Sequence, residues 1–327
     1  GVYWAMSEPG EGIESIPDII SHWGKMFRNF SKHIQDSSST AEESRWLLEV
    51  LQAIFGDKET IRQTHPYSFL VCPQSPLIIE EQHTDAYLEL IGWDIPLAVM
   101  PMPLMGGTGP GNMISMTILG NCEVLAMLCL VQAAAPGTPF IYAPALAVMN
   151  PRTGMLSSGA IENGLLSCAA IEMARYYELP VEGSGGGTDT HGPGLQATLE
   201  RAMNAMLPML SWPDLMIGAG LLGGSMILSL EQLVIDAEMF RMNKQARRGI
   251  KADEDAWLDD VIQRVGPGGH FMGEKSTRAN LRSGEWLIPR LGEHGPFNAW
   301  KDAGKKDLLE EAREKVETLL ATHTPLP

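Results

Sequence analysis

Apolar positions along this chain fall into short runs that alternate with longer stretches of helical period. That alternation is the strand–helix repeat of an α/β protein with a parallel sheet. Strands are predicted at 2–6, 26–34, 67–72, 97–100, 139–143, 179–182 and 215–219. Helices are predicted near 16–24 and over 39–55, 80–91, 113–135, 161–177, 195–207 and 230–241. The seven strands are one short of a closed eight-stranded barrel, and the chain opens on a strand after only one residue. The expectation is a piece of a longer protein, short at its N-terminus, with no leader peptide visible at its start.

After Arg248 the texture changes: charges become frequent and strand patterns vanish. Residues 1–248 are therefore expected to form the strand–helix domain, and 249–327 a helical extension packed on it. Within the extension, 253–265 and 305–321 read as amphipathic helices joined through the turn-rich Gly266-Pro267-Gly268-Gly269-His270-Phe271.

Three features of composition narrow the function. The net charge of −16 disfavours nucleic acid or an anionic membrane as partner, although Arg247, Arg248 and Lys251 make a small basic patch. The apolar stretch 113–135 is long enough to span a bilayer. It carries Asn121, Glu123 and Gln132, and a mid-span carboxylate is costly in lipid, so a helix buried within a protein is expected. Cys72, Cys122, Cys129 and Cys168 form no CxxC pair and sit among apolar residues. They read as buried small hydrophobes in a reducing cytoplasm. No metal-ligand spacing, P-loop, dinucleotide fingerprint or GxSxG elbow appears, and no metal is expected.

Chemistry concentrates in three glycine-rich loops that follow predicted strands: 106–111, 183–194 and 218–224. Such loops serve as phosphate cradles, as tight turns, or as a side-chain-poor face for a large flat cofactor. Within the second loop, Asp189 and His191 offer acid, base or ion contacts, or simple turn chemistry. Glu123 is the one acid in a long apolar stretch and needs a partner or a proton. Glu162 caps a helix or meets substrate, Tyr142 ends a strand or joins the core, and His270 lies in a structural turn.

A series of phrases runs through the chain in order. They are Gln74-Ser75-Pro76-Leu77, Met105-Gly106-Gly107-Thr108-Gly109-Pro110, Glu123-Val124-Leu125-Ala126 and Pro136-Gly137-Thr138-Pro139, followed by 174–180 and the 185–189 loop. Gly218-Ala219-Gly220-Leu221-Leu222, 231–236, 266–271 and a final Pro-Leu-Pro complete the set. As a set they resemble the trimethylamine methyltransferase superfamily.

The resemblance implies a TIM (β/α)8 barrel lacking N-terminal strand material. It also implies methyl transfer from a tertiary or quaternary amine, glycine betaine-like, to the Co(I) of a separate corrinoid protein. No pyrrolysine is visible, which points to the branch without it, associated with glycine betaine, carnitine or proline betaine; the 183–191 region is the expected place of the difference. The family often has Lys shortly after the Asp of the glycine loop, where this chain has Thr190-His191.

On this reading Asp189, His191 and Glu123 are the catalytic candidates. Tyr142, Glu162 and Gln74 are the substrate contacts. Gly106, Gly107, Gly186, Gly187 and Gly220 admit the corrin, with no cofactor held tightly by the chain itself. A cytoplasmic homo-oligomer without nucleic-acid or membrane partners is expected. The alternatives are a TIM-barrel enzyme acting on a phosphorylated ligand and a non-catalytic, barrel-derived protein that binds betaine-like ligands.

Overall fold

The computed structural model describes residues 4–6, as backbone, and 15–326. Seven strands form one parallel series: β1 (Trp4–Met6), β2 (His33–Asp36), β3 (Tyr67–Val71), β4 (Leu97–Val99), β6 (Phe140–Tyr142), β9 (Glu182–Ser184) and β10 (Leu215–Ile217). Ile34 pairs with Tyr67, Phe69 with Leu97 and Leu97 with Phe140. A parallel bridge from Tyr142 to Val181 joins β6 to β9, and Leu215 pairs with Glu182. The expected loop at 7–12 lies outside the described residues.

Three short strands rise beyond the series: β5 (Leu104–Met105), β7 (Ala147–Met149) and β8 (Leu156–Ser157). Bonds from Ala145 N to Pro101 O and from Ala147 N to Pro103 O carry the β4/β6 pairing upward into β5/β7. A small hairpin, β11 (Leu221–Leu222) and β12 (Ile227–Leu228), follows β10. These two- and three-residue strands are too short to leave an alternation in the sequence.

The helices are α1 (Ile16–Asn29), α2 (Ala41–Phe55), α3 (Lys58–Thr64), α4 (Glu81–Leu88), α5 (Met113–Ala134), α6 (Ile161–Tyr176), α7 (Leu195–Leu210) and α8 (Leu230–Arg248). Beyond them are α9 (Asp259–Val265), α10 (Lys275–Ser283), α11 (Phe297–Asp302) and α12 (Leu308–Thr322). The strand expected at 26–34 is a correction. A Ser15/Asp18 capping box and Pro17 start α1, and Trp23 and Phe27 continue its buried stripe to Asn29, so β2 begins only at His33.

One side of the strands faces the helices. Ile34, Tyr67, Phe69, Val71, Leu97, Val99, Phe140, Tyr142 and Val181 pack against Trp23, Phe27, Leu47, Leu51, Val124 and Ile171 in the main core. Alternate residues face the other way, and Leu70, Ala98, Ile141 and Ile217 meet there with Met100 and Ala143. Gln35 on β2 reaches Glu182 on β9, four strands further along the series. That bond requires the series to curl, with this second face concave.

Among the described residues no ladder joins β10 to β1. The C-terminal segment ties that side instead. Arg313 of α12 approaches Glu231 of α8 at 3.8 Å, while His323 bonds Asn29 at 2.8 Å and Leu326 N bonds Arg28 O at 2.6 Å.

Helix α5 has the length and composition of a membrane span, with a mean hydropathy of 1.9. Its Val124, Met127 and Val131 are in the main core. It is apolar nearly all round, so its other face lies at the surface, where Ile114, Ile118, Cys122 and Cys129 are exposed. Cys72 is exposed as well, and Cys168 is half-buried. The expectation of four buried cysteines is therefore corrected; all four are free thiols.

Candidate functional site at the strand ends

The second and third glycine loops interlock beyond the C-terminal ends of the strands. Gly223 N and Gly224 N donate to Thr190 O and Thr188 O, which locks the third loop onto the second. A β-carbon on Gly187 would stand 2.5 Å from Ser158 O, and one on Gly218 would stand 2.6 Å from Gly185 O. Glycine at these two positions permits backbone-to-backbone contact between loops.

Asp189 sits inside this lock. Its oxygens accept from Ser157 Oγ at 2.8 Å and from Gly159 N at 3.1 Å. Asn204 Nδ2 donates to Ser158 O and Gly187 O, and Asn163 Nδ2 to Ser157 O and Ser158 O. Glu200 accepts from Thr188 Oγ1 and Asp189 N. Asp189 thus holds the 157–159 turn against the glycine loop. His191 is exposed, and its ring lies over Gly223.

These bonds also bear on a phosphate cup. A cup needs free backbone N–H groups. Here Gly186 N donates to Asn204 Oδ1, Asp189 N to Glu200 and Gly220 N to Asp236 Oδ2. The loop donors already serve acceptors of the chain, two of them carboxylates that would repel a phosphate.

The other expected site residues scatter. Glu123 is buried and accepts from Ser75 Oγ at 2.9 Å and Leu77 N at 2.7 Å, so it holds the 74–77 loop in place. Gln74, in that loop, is exposed and pairs through its backbone with Ile78. Tyr142 turns to the helix layer, where its hydroxyl donates to Asn121 and Asn121 donates to Tyr177. That corrects the expectation of a ring facing the site: residues 140 and 142 point outward because 141 points in. Glu162 and Gly106 line a cavity of about 590 Å³ with Arg152, Asn150, Met149 and Ser157. Gly107 closes the 104–109 turn, donating to Leu104 O at 2.8 Å. His270 is exposed in the extension, and no group of three or more metal-binding side chains occurs among the described residues.

Two features were not anticipated as site residues. The first is a buried ion pair: Arg201 on α7 donates to both oxygens of Asp236 on α8, with the two side chains 0% and 1% exposed. The same guanidinium bonds Gly218 O and Leu221 O, and Asp236 accepts from Gln232. The pair fixes the third glycine loop to both helices. An Arg and an Asp on the apolar faces of neighbouring helices were the signal in the sequence.

The second is Glu182, on the concave face at the first position of β9. It is 1% exposed; Oε2 accepts from Gln35 Nε2 at 3.0 Å, and Oε1 has no partner. Gln35 Oε1 is also unpartnered. Burial raises the Glu182 carboxyl to about 7, against the lowering effect of the Gln35 bond. Below it, His33 bonds Ser68 Oγ at 2.8 Å and His65 O at 2.9 Å, and burial lowers its pKa. At the rim, Cys72 meets solvent, yet desolvation within the concavity, with the Glu182 charge second, pushes its thiol up to about 11. The sequence showed Glu182 only as the end of a predicted strand; its inward direction needed the register of β9 against β6.

Comparison with known proteins agrees with the family that those phrases resemble. The family model "Trimethylamine methyltransferase (MTTB)" matches residues 25–327. The chain is similar to the trimethylamine methyltransferase MttB of Methanosarcina barkeri, 32% identical over 97% of this chain and 63% of that one. It is also similar to the glycine betaine methyltransferase of Desulfitobacterium hafniense, 30% identical over 98% of this chain and 66% of that one. The chain thus spans about two-thirds of the length of these relatives. Among solved structures it is similar to a dihydropteroate synthase from Coxiella burnetii, with a TM-score of 0.44 and 12% identity, covering 75% of this chain and 79% of that one. By the family match over residues 25–327, the chain belongs to the trimethylamine methyltransferase family.

Proposed function

We propose that this chain supplies the strand-end face on which a methylated amine gives up a methyl group to the Co(I) of a separate corrinoid protein. On this reading the seven strands are those of a (β/α)8 barrel, and the substrate enters at their C-terminal ends, where such barrels do their chemistry. The observation that carries the proposal is Glu182: a buried carboxyl without a cationic partner, on the concave face that also carries the apolar cluster of Ala98, Met100 and Ala143, in a chain of this family. Among the described residues, neither a hydrogen bond nor a salt bridge joins it to a Lys, Arg or His.

The chemistry is a displacement at carbon. The Co(I) electron pair forms the new bond to the methyl carbon, the C–N bond breaks, and its electrons stay on nitrogen. A quaternary ammonium leaves as a neutral tertiary amine, so no proton is needed in the step. What the protein must supply is position and a dry wall around the methyl group. Leu70, Ala98, Met100, Ala143, Ile141 and Ile217 make that wall. The interlocked loops make the strand-end face rigid, and rigidity holds the amine in line.

The test mixes the protein with a reduced free corrinoid and a panel of tetramethylammonium, choline, glycine betaine, carnitine and trimethylamine. Conversion of the Co(I) absorbance to that of methylcobalt(III) with one donor supports the proposal. No conversion with any donor, by folded protein, overturns it.

A further inference from the structure

Glu182 is an electrostatically incomplete arrangement. A buried carboxyl ordinarily has a cation, or enough donors to satisfy both oxygens. This one has a single donor, Gln35 Nε2 at 3.0 Å, and its second oxygen is bare. It lies on the concave face of the curled series, and on the same face Cys72, one residue past β3, meets solvent and adds its thiol to the groups that feel the Glu182 charge. The same face carries an apolar cluster, Leu70, Ala98, Met100, Ala143, Ile141 and Ile217, of the kind the methyl groups of an ammonium require.

We propose that Glu182 is the counter-ion for the ammonium group of the substrate, and that binding a quaternary ammonium expels the proton the empty site holds on this carboxyl. The inference rests on the methylated-amine reading for the class of ligand. In the empty site the carboxyl is about half protonated near neutral pH. A fixed positive charge within ~4–6 Å favours the carboxylate and drives the proton out to solvent. The balance is one ammonium bound, one proton released, and no change in net charge inside the site.

The neighbouring titratable groups leave that proton identifiable. Cys72 on β3 stays protonated through the neutral range, with its thiol at about 11. His33 on β2 titrates below its ordinary 6.5, held down by burial. Asp36, at the end of β2, is buried with its oxygen on Ser37 N, and Asp214, before β10, accepts from Val181 N at 2.9 Å. Arg201 on α7 is committed to Asp236 on α8. Cys168, Glu172, Arg175 and Tyr177, on and just after α6, lie on the helix side of β9.

The experiment is calorimetry with tetramethylammonium, which has no proton of its own to lose. It is run at pH 6 and pH 8, each in two buffers of different ionisation heat. The expected result is nearly one proton released at pH 6 and almost none at pH 8, with affinity rising about tenfold between them as the carboxylate becomes populated. Glu182→Gln removes both the release and the pH dependence. Gln35→Leu takes away the one donor and moves the inflection to higher pH. Choline releases the proton, whereas its neutral carbon analogue 3,3-dimethyl-1-butanol does not.

No binding of tetramethylammonium, binding at pH 6 without proton release, or an unchanged pH profile in Glu182→Gln overturns the inference. The readings in the unmodified protein do not depend on any variant folding. Proton-linked binding without methyl transfer to Co(I) sinks the proposed function and leaves the counter-ion standing. Transfer with an unchanged pH profile in Glu182→Gln does the reverse.

Discussion

Replacing Glu182 with Gln removes a buried acid and keeps its shape, so its effect on stability follows from the bonds around it. In the folded protein the carboxyl has a pKa of about 7 against an ordinary 4.5, because it is buried with one donor. Between those values the folded state holds a proton that the unfolded chain has lost, so stability falls as pH rises through this window. The gap amounts to about 3 kcal/mol, of which about 2.5 kcal/mol falls between pH 5 and pH 8. Glutamine carries no charge to desolvate. Its carbonyl can accept from Gln35 Nε2, and its amide can donate to the bare Gln35 Oε1. Glu182→Gln is therefore expected to be close to wild type in stability at pH 5 and more stable at pH 8, the difference growing by about 2.5 kcal/mol across the range. Urea unfolding at both pH values, followed together by fluorescence and circular dichroism, measures it. A difference that stays constant with pH would refute the reasoning, since Glu182 would then be solvated or paired in the folded protein.

Three further outcomes follow from the loops. Asp236→Ala orphans the Arg201 guanidinium in a fully buried setting and is expected to cost about 3–5 kcal/mol in urea unfolding, with Arg201→Met/Asp236→Ala recovering part of it. Gly187→Ala forces a β-carbon to 2.5 Å from Ser158 O, and overpacking against backbone is expected to cost about 1–3 kcal/mol by the same measurement. His191→Ala touches an exposed ring and is expected to stay within about 0.5 kcal/mol of wild type, so any larger loss of methyl transfer in that variant would give the imidazole a direct part in the reaction.

Much of the fold was legible because its signals are local and repeated. The buried strands 67–71, 97–99 and 140–142 read as short apolar runs, and Thr40 caps α2 at the place where the serine-rich run predicted a helix start. The 26–34 stretch misled because its helical stripe, through Trp23 and Phe27, runs to the residue before a short polar turn. The site was less legible. Asp189 and Glu123 are isolated acids in apolar or glycine-rich surroundings, a pattern shared by acids that react and acids that hold loops. Only the bonds to Ser157, Gly159, Ser75 and Leu77 show the second use. Glu182 stands beside the glycine loop that drew attention, yet its meaning depends on register. One residue of slip in β9 would place it among the helices. Arg201 and Asp236 are 35 positions apart, and nothing local in the chain pairs them.

The most direct test of the account is to locate the cation. Tetramethylarsonium has the shape and charge of a quaternary ammonium, and its arsenic can be found by anomalous scattering in crystals of this chain. The account predicts arsenic on the concave face, about 4–6 Å from the Glu182 carboxyl and against the wall of Leu70, Ala98 and Ile141. Arsenic bound instead in the cavity beside Glu162 and Arg152, with the concave face empty, would contradict it.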